Sequence, residues 1–383
     1  MAIGQSMVLN KSLLWYLFII WSFIGLLIAV PGVIQEEESN LWNVLHKTAI
    51  SKCTPVMDSK RMTYEDQDDL ITRWFCSEEL WSALSGRPVF GGQLFSHLIH
   101  CALKKYPTYT VFSSNCTFYL ETKPDKKIVY EIETENRAGK QMIELGITGK
   151  QESENNEYQV TIRGTVLLHT GTKFTDLITK PATDHLEKYC KDNKNNGTSS
   201  SDQIANPSTT THKQVSNLID LFDTPEVYAA NKGMTPSTIR SQMCRFYAEK
   251  CVRLKGLSDD PWSRCILFDF SRQPRNQFFQ SDSSLAKILL LAFLSDDHIL
   301  ETAIISQNED ITSKIYNILT ITHSIQFANL DAFEIHTPFF YSITVNHVIN
   351  NMAYCTGQII QNNQVIAYVC QNGAIRSRQK TAK

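Results

Sequence analysis

The run "SSLAKILLLAFLSDDHIL", Ser283 to Leu300, constrains this chain more than any other feature. It contains no Pro or Gly, and its residues up to Leu294 are apolar on nearly every side of a helical wheel. A helix without a polar face cannot lie on a protein surface, so it must be buried nearly all round. A curled antiparallel sheet wrapped about the helix covers it most compactly. The strand-like runs that follow supply such a sheet: Ser324 to Pro338, Phe340 to Gln361 and Asn363 to Arg376. A second unit of the same kind precedes it. "GGQLFSHLIHCALKKYP", Gly91 to Pro107, spaces Leu94, Leu98, Ile99 and Leu103 for a helix, with two glycines at its start. The runs "KIVYEIET", "QMIELGI" and "EYQVTIRGTVLLHT" read as strands after it. "TFYLETKP" (Thr117 to Pro124) and "AFEIHTP" (Ala332 to Pro338) are local echoes that close a strand in each half. The expectation is an α+β fold made of a duplicated unit.

The stretch between the halves, Lys191 to Lys213, is rich in Asn, Ser, Thr and Asp and almost free of large apolar residues. It cannot bury enough surface to offset its ordering entropy and reads as a polar linker. The expected organisation is a leader over 1–56, a first domain over 57–175, a linker over 176–235 and a second domain over 236–383. Within the leader, Leu13 to Val30 is 18 residues without a charge, preceded by Lys11 and followed by Glu36, Glu37 and Glu38. That length suits a membrane-spanning signal-anchor better than a cleaved signal peptide. The alternatives are a cleaved signal and a shorter chain beginning at Met57 or Met62. A net charge of −2 gives no electrostatic case for nucleic acid. The ten cysteines form no CxxC pair and no zinc-spaced group with histidine. Their even number permits disulfides, and buried free thiols are the alternative.

"RPVFGGQLFSHLI" (Arg87 to Ile99) together with the later "QNGAIR" (Gln371 to Arg376) resembles the acyl-CoA thioesterase II family, the double-hotdog enzymes of bacteria and peroxisomes. The resemblance covers roughly residues 65–170 and 236–378. It implies a double hotdog, in which two long central helices are each wrapped by a curved antiparallel sheet. It further implies hydrolysis of fatty acyl-CoA to free fatty acid and CoA, with neither metal nor organic cofactor, by a protein that forms a homo-oligomer, commonly a dimer. In the family, the aspartate of an S-D-x-x-x-L motif activates the hydrolytic water, which places that role on Asp296 in "LSDDHIL". A Ser or Thr two residues before the next Asp, and the Gln of the closing Q-x-G-x-x-R, position the water. These roles fall on Asn329 in "FANLDAF" and on Gln371. Gly91, Gly92 and Gln93 are the weaker candidates for contact with substrate.

The residue types fit the chemistry. A thioester carbonyl is electrophilic, and its leaving thiol has a pKa of ~8.5, so no strong acid is needed. An oriented water and a proton acceptor suffice. The chain contains no G-x-S-x-G nucleophile motif. It departs from the family at Asn329, at Cys116 where a His is usual, and at Leu145 and Gly146 where Arg is usual. These departures keep open a second reading, an acyl-CoA- or lipid-binding module with a degraded water site, and a third, a membrane-tethered scaffold. Asp297 and His298 read as solvated or structural. The sequon at Asn115 reads as chance, because it falls in a strand, whereas Asn196 lies in the linker. The chain ends Thr381-Ala382-Lys383, which is not a peroxisomal signal. The apolar leader points instead to the secretory pathway and the endoplasmic reticulum membrane, with the peroxisome as the alternative.

Overall fold

The computed structural model describes residues 51–52, 74–77, 80–82, 87–138, 141–170, 252–256, 262–270, 283–306 and 314–379, all within one unit spanning residues 41–383. The expected linker and Leu13 to Val30 lie outside the described residues. Among the described residues no helix is long and apolar enough to cross a membrane.

The elements follow the order β1 (Ser51–Lys52), β2 (Trp74–Ser77), α1 (Gly91–Lys105), β3 (Tyr109–Phe118), β4 (Ile128–Ala138), β5 (Met142–Glu152) and β6 (Tyr158–Thr170). The second half continues with β7 (Val252–Gly256), β8 (Ser263–Phe268), α2 (Ser284–Ser295), α3 (Ile299–Ser306), β9 (Lys314–Phe327), a 3-10 turn (Leu330–Ala332), β10 (Phe339–Ile349), β11 (Met352–Gln361) and β12 (Gln364–Gln379). These strands form a single antiparallel sheet in the order β1-β2-β4-β5-β6-β3-β9-β12-β11-β10-β8-β7. Read outward from the β3–β9 seam, the two sides have the same connectivity. The strand after each helix lies at the seam, and the last strand of each half lies beside it. The duplication expected from the sequence is therefore a property of the topology. The seam pairs Asn115 with Ser324 and Cys116 with His323.

Helix α2 meets the demand its composition makes. Ser283 caps it by accepting from the Ala286 N–H at 3.2 Å, and every residue from Ile288 to Ser295 is buried. Each fully buried Leu or Ile contributes roughly 1.5–3 kcal/mol relative to exposure. Helix α1 is buried from Gly92 to Leu103 and packs against α2, with Ser96 Oγ 3.3 Å from the Leu289 carbonyl. A Cβ at Gly92 would collide with the Phe293 carbonyl, so only glycine allows the helices to come this close.

Several sequence expectations change. The single helix expected over Ser283 to Leu300 breaks at 296–298, where His298 takes a φ of 61°. Residues Ser324 to Pro338 are not one strand, because β9 ends at Phe327 and a 3-10 turn follows; "AFEIHTP" therefore leads into β10 rather than closing a strand. The run from Phe340 to Gln361 is a hairpin, turned by Asn350 and Asn351 at φ 51° and 62°, left-handed values that Asn tolerates. The sheet also begins before residue 57: Ser51 pairs with Cys76, so the first domain extends beyond its expected edge. Among the cysteines, Cys101, Cys116, Cys265 and Cys355 are buried free thiols, and Cys370 is a partly buried one.

Candidate active site

Asp296 is the C-cap of α2, at φ −83° and ψ −13°. The helix ends there because the next two residues turn the chain into α3. Asp296 Oδ1 accepts from Thr320 Oγ1 at 3.0 Å and from Gln371 Nε2 at 2.8 Å. Gln371 Nε2 also donates to Thr320 Oγ1 at 2.8 Å. The Gly92 backbone N–H bonds the same carboxylate. Residues from both halves thus converge on one carboxyl group. Burial pushes the Asp296 pKa up to about 7, and the neighbouring Asp297 charge adds to the shift, while the bonds from Thr320, Gln371 and Gly92 oppose it. A carboxylate poised near neutrality can take a proton from water and return it.

The geometry brings Asp296 and Gln371 together as the sequence expected, but not Asn329. Asn329 Nδ2 donates to Gln364 Oε1 at 2.8 Å in an exposed pair, and its backbone N–H bonds to the Ile366 carbonyl. The hydroxyl beside the carboxylate belongs to Thr320. The motif called for a Ser or Thr two residues before an Asp. Asp331 is the first Asp after β9 begins, which drew the assignment past "TITHS", where Thr320 precedes Thr322 and no Asp is present.

A strand irregularity places Thr320. Gln371 pairs with His323 and Asn372 with Thr322, but Gly373 pairs with Thr320, so Ile321 is an extra residue in β9. In a regular strand, residues three apart face opposite sides of the sheet. The bulge brings Thr320 and the buried His323 to the same side.

Gly91 and Gly92 shape the site, and Gln93 is committed elsewhere. A Cβ on Gly91 would lie 2.6 Å from Asp296 Oδ2. Gln93 is fully buried, and its Oε1 accepts from the Trp81 N–H at 2.8 Å, so its carbonyl holds the segment before α1. Cys116 is buried on the strand next to His323, and burial, with the Asp296 charge, raises its thiol pKa well above the ordinary range.

Asp297 and His298 are not solvated. His298 Nδ1 lies 2.7 Å from Glu301 Oε2, and its Nε2 lies 3.1 Å from Asp297 Oδ2. Arg264, buried on β8, donates to the His298 carbonyl at 2.8 Å and to Glu301 Oε2 at 3.2 Å. This group sits at the start of α3, where the helix dipole favours anions. Two aspartates at the C-terminal end of α2 oppose its dipole, and the helix that follows offsets this mild cost. Burial raises the Asp297 pKa to about 6, and the His298 charge opposes the rise.

No curated protein matches the sequence. Residues 275–374 match the family model of acyl-CoA thioesterases. Among solved structures, the tesB protein of Mycobacterium avium subspecies paratuberculosis is similar at a TM-score of 0.53, with 10% identity over 88% of this chain and 99% of that one. An acyl-CoA thioesterase II TesB2 from Mycobacterium marinum gives a TM-score of 0.49 and 14% identity, covering 82% and 95%. A protein with a hot dog fold from Alicyclobacillus acidocaldarius gives 0.49 and 11%, covering 87% and 97%. The matched region contains Asp296, Thr320, His323 and Gln371.

Proposed function

We propose that this chain, which belongs to the acyl-CoA thioesterase family, is a double hotdog that hydrolyses fatty acyl-CoA with Asp296 as the base that activates water. The observation that carries the reading is the convergence of Thr320, Gln371 and the Gly92 N–H on one buried carboxylate whose pKa is lifted towards 7. A water that donates to Asp296, with the Thr320 oxygen as its second acceptor and Gln371 holding both residues in place, attacks the thioester carbonyl carbon, and its proton passes to Asp296. The tetrahedral adduct collapses and expels the CoA thiolate. That thiolate, whose parent thiol has a pKa of ~8.5, takes the proton back from the carboxyl group. The free acid leaves, and the site returns to its starting state. The same reading includes a homodimer and a membrane segment over Leu13 to Val30.

The test is release of free CoA thiol from medium- and long-chain acyl-CoA by the purified chain, beside Asp296→Asn. Turnover by the wild type that the substitution abolishes is the expected result. Acyl-CoA binding without turnover would favour the binding module instead, and absence of both would end the reading.

A further inference from the structure

The candidate site contains a buried side chain that the proposed mechanism does not use. His323 is 1% exposed and lies on β9 directly across from Gln371. Its Nδ1 is 3.1 Å from Gln371 Oε1, and its Nε2 is 2.8 Å from Ser295 Oγ. The Phe95 and His323 rings meet edge to face, with centroids 4.7 Å apart and planes at 89°. Ser295 is covalently next to Asp296. Ser295, His323, Gln371 and Asp296 thus close a ring of hydrogen bonds back on to the end of α2.

We propose that His323 is a positioning residue, which locks the Gln371 amide so that its NH2 group faces the Asp296 carboxylate and the Thr320 hydroxyl, a role that rests on Asp296 being the base. Donors and acceptors decide the orientation. Burial holds the His323 pKa down to about 3, so the ring is neutral and has a single N–H. Gln371 Oε1 is a carbonyl and can only accept, so that N–H is on Nδ1. Nε2 is then an acceptor and faces the Ser295 hydroxyl, whose proton it shares with the Ala292 carbonyl at 2.8 Å. With Oε1 held by His323, both protons of Gln371 Nε2 are directed away from it, one to Asp296 Oδ1 and one to Thr320 Oγ1. A flipped amide would set its carbonyl oxygen against the carboxylate and leave the Nδ1–H facing an NH2 group. Cys116 pairs with His323 on the neighbouring strand, and Asp296 is linked to the ring through Gln371.

The test uses three substitutions chosen by where each puts its polar atom. His323→Asn retains a donor near the Nδ1 position, His323→Gln reaches towards the Nε2 position, and His323→Phe has neither. With Gln371 free to flip, a misplacement of the water should lower kcat roughly tenfold to a hundredfold in the Phe and Gln variants. KM should stay within about twofold, since His323 is not assigned to substrate. The Asn variant should recover most of the rate. Titration of the Asp296 carboxyl by carbon-13 NMR gives a readout that does not need turnover. Loss of the Gln371 donor should move it to higher pH in the Phe and Gln variants but not in Asn. If Phe fails to fold, as judged by its thermal transition, the Asn and Gln pair decides alone. Equal losses in Asn and Gln, or an unchanged Asp296 titration in both Phe and Gln, would overturn the proposal. If the wild type does not hydrolyse acyl-CoA but the titration still moves in Phe and Gln, the positioning is upheld and the assigned reaction is removed.

Discussion

Asp296→Asn should make the protein more stable as it removes its activity, and the gain should depend on pH. The carboxyl pKa rises from 3.8 in the unfolded chain to about 7 in the folded one. The folded state therefore binds more protons between those values, and stability falls as pH rises through the window. Below pH 3.8 the penalty is absent, and above about 7 it is fully present. A rise of roughly 3 pH units at 1.36 kcal/mol each gives about 4 kcal/mol at pH 8, an upper bound. Asn keeps one acceptor oxygen for the three donors but loses the second carboxylate oxygen, at a cost of ~1 kcal/mol or more. The net gain at pH 8 is about 2–3 kcal/mol, or roughly 2–4 °C in Tm for a chain of 383 residues. At pH 4 the gain should vanish or change sign. The assay is thermal unfolding of wild type and variant at pH 4 and pH 8, beside kcat, which should fall ~10²–10⁴-fold. Wild-type kcat/KM should rise with pH to a plateau above about 7. A variant that is less stable at pH 8 than at pH 4, relative to wild type, would refute the claim that the carboxylate is held at a cost.

The remaining predictions concern its neighbours. Thr320→Val removes a donor to Asp296 and an acceptor for Gln371, so kcat should fall about 10–100-fold and the acid limb should move to higher pH, whereas Asn329→Ala should leave both unchanged. Steady-state kinetics of the two across pH separates the residues. Gly91→Ala, which puts a methyl group 2.6 Å from Asp296 Oδ2, should cost kcat and Tm together, seen in the same two assays. Asp297→Asn removes a charge that raises the Asp296 pKa, so the acid limb should move to lower pH. Arg264→Met removes the buried cation beside Glu301 and leaves it only His298, and it should destabilise by about 3–5 kcal/mol in denaturant unfolding.

The helices, most strands and the duplicated order were legible because each is written in a local pattern: an apolar run without a polar face, or alternation over a few residues. Asp296 and Gln371 were legible because each sits within a short motif whose neighbours follow it closely. Thr320 was not, for a reason that goes beyond a motif mismatch. A regular β9 would point Thr320 away from His323 and Gln371, and only the extra residue at Ile321 turns it inward. Nothing in "LTITHSIQF" marks that bulge, since it is set by pairing with Gly373 on a strand more than fifty residues later. Of the two readings of Asp297 and His298, solvated or structural, the structure shows the second, and the sequence left the choice open for a related cause. An Asp-Asp-His run after a helix looks solvated unless a cation is known to lie beneath it, and Arg264 arrives there from β8, outside any window around the motif. The residues that hold the Asp296 carboxylate in place are thus fixed by strand register and by contacts distant in sequence. Substitutions at Ile321 or Gly373, which form the bulge that turns Thr320 inward, should therefore lower kcat as a change in Thr320 itself does, measured beside Thr320→Val.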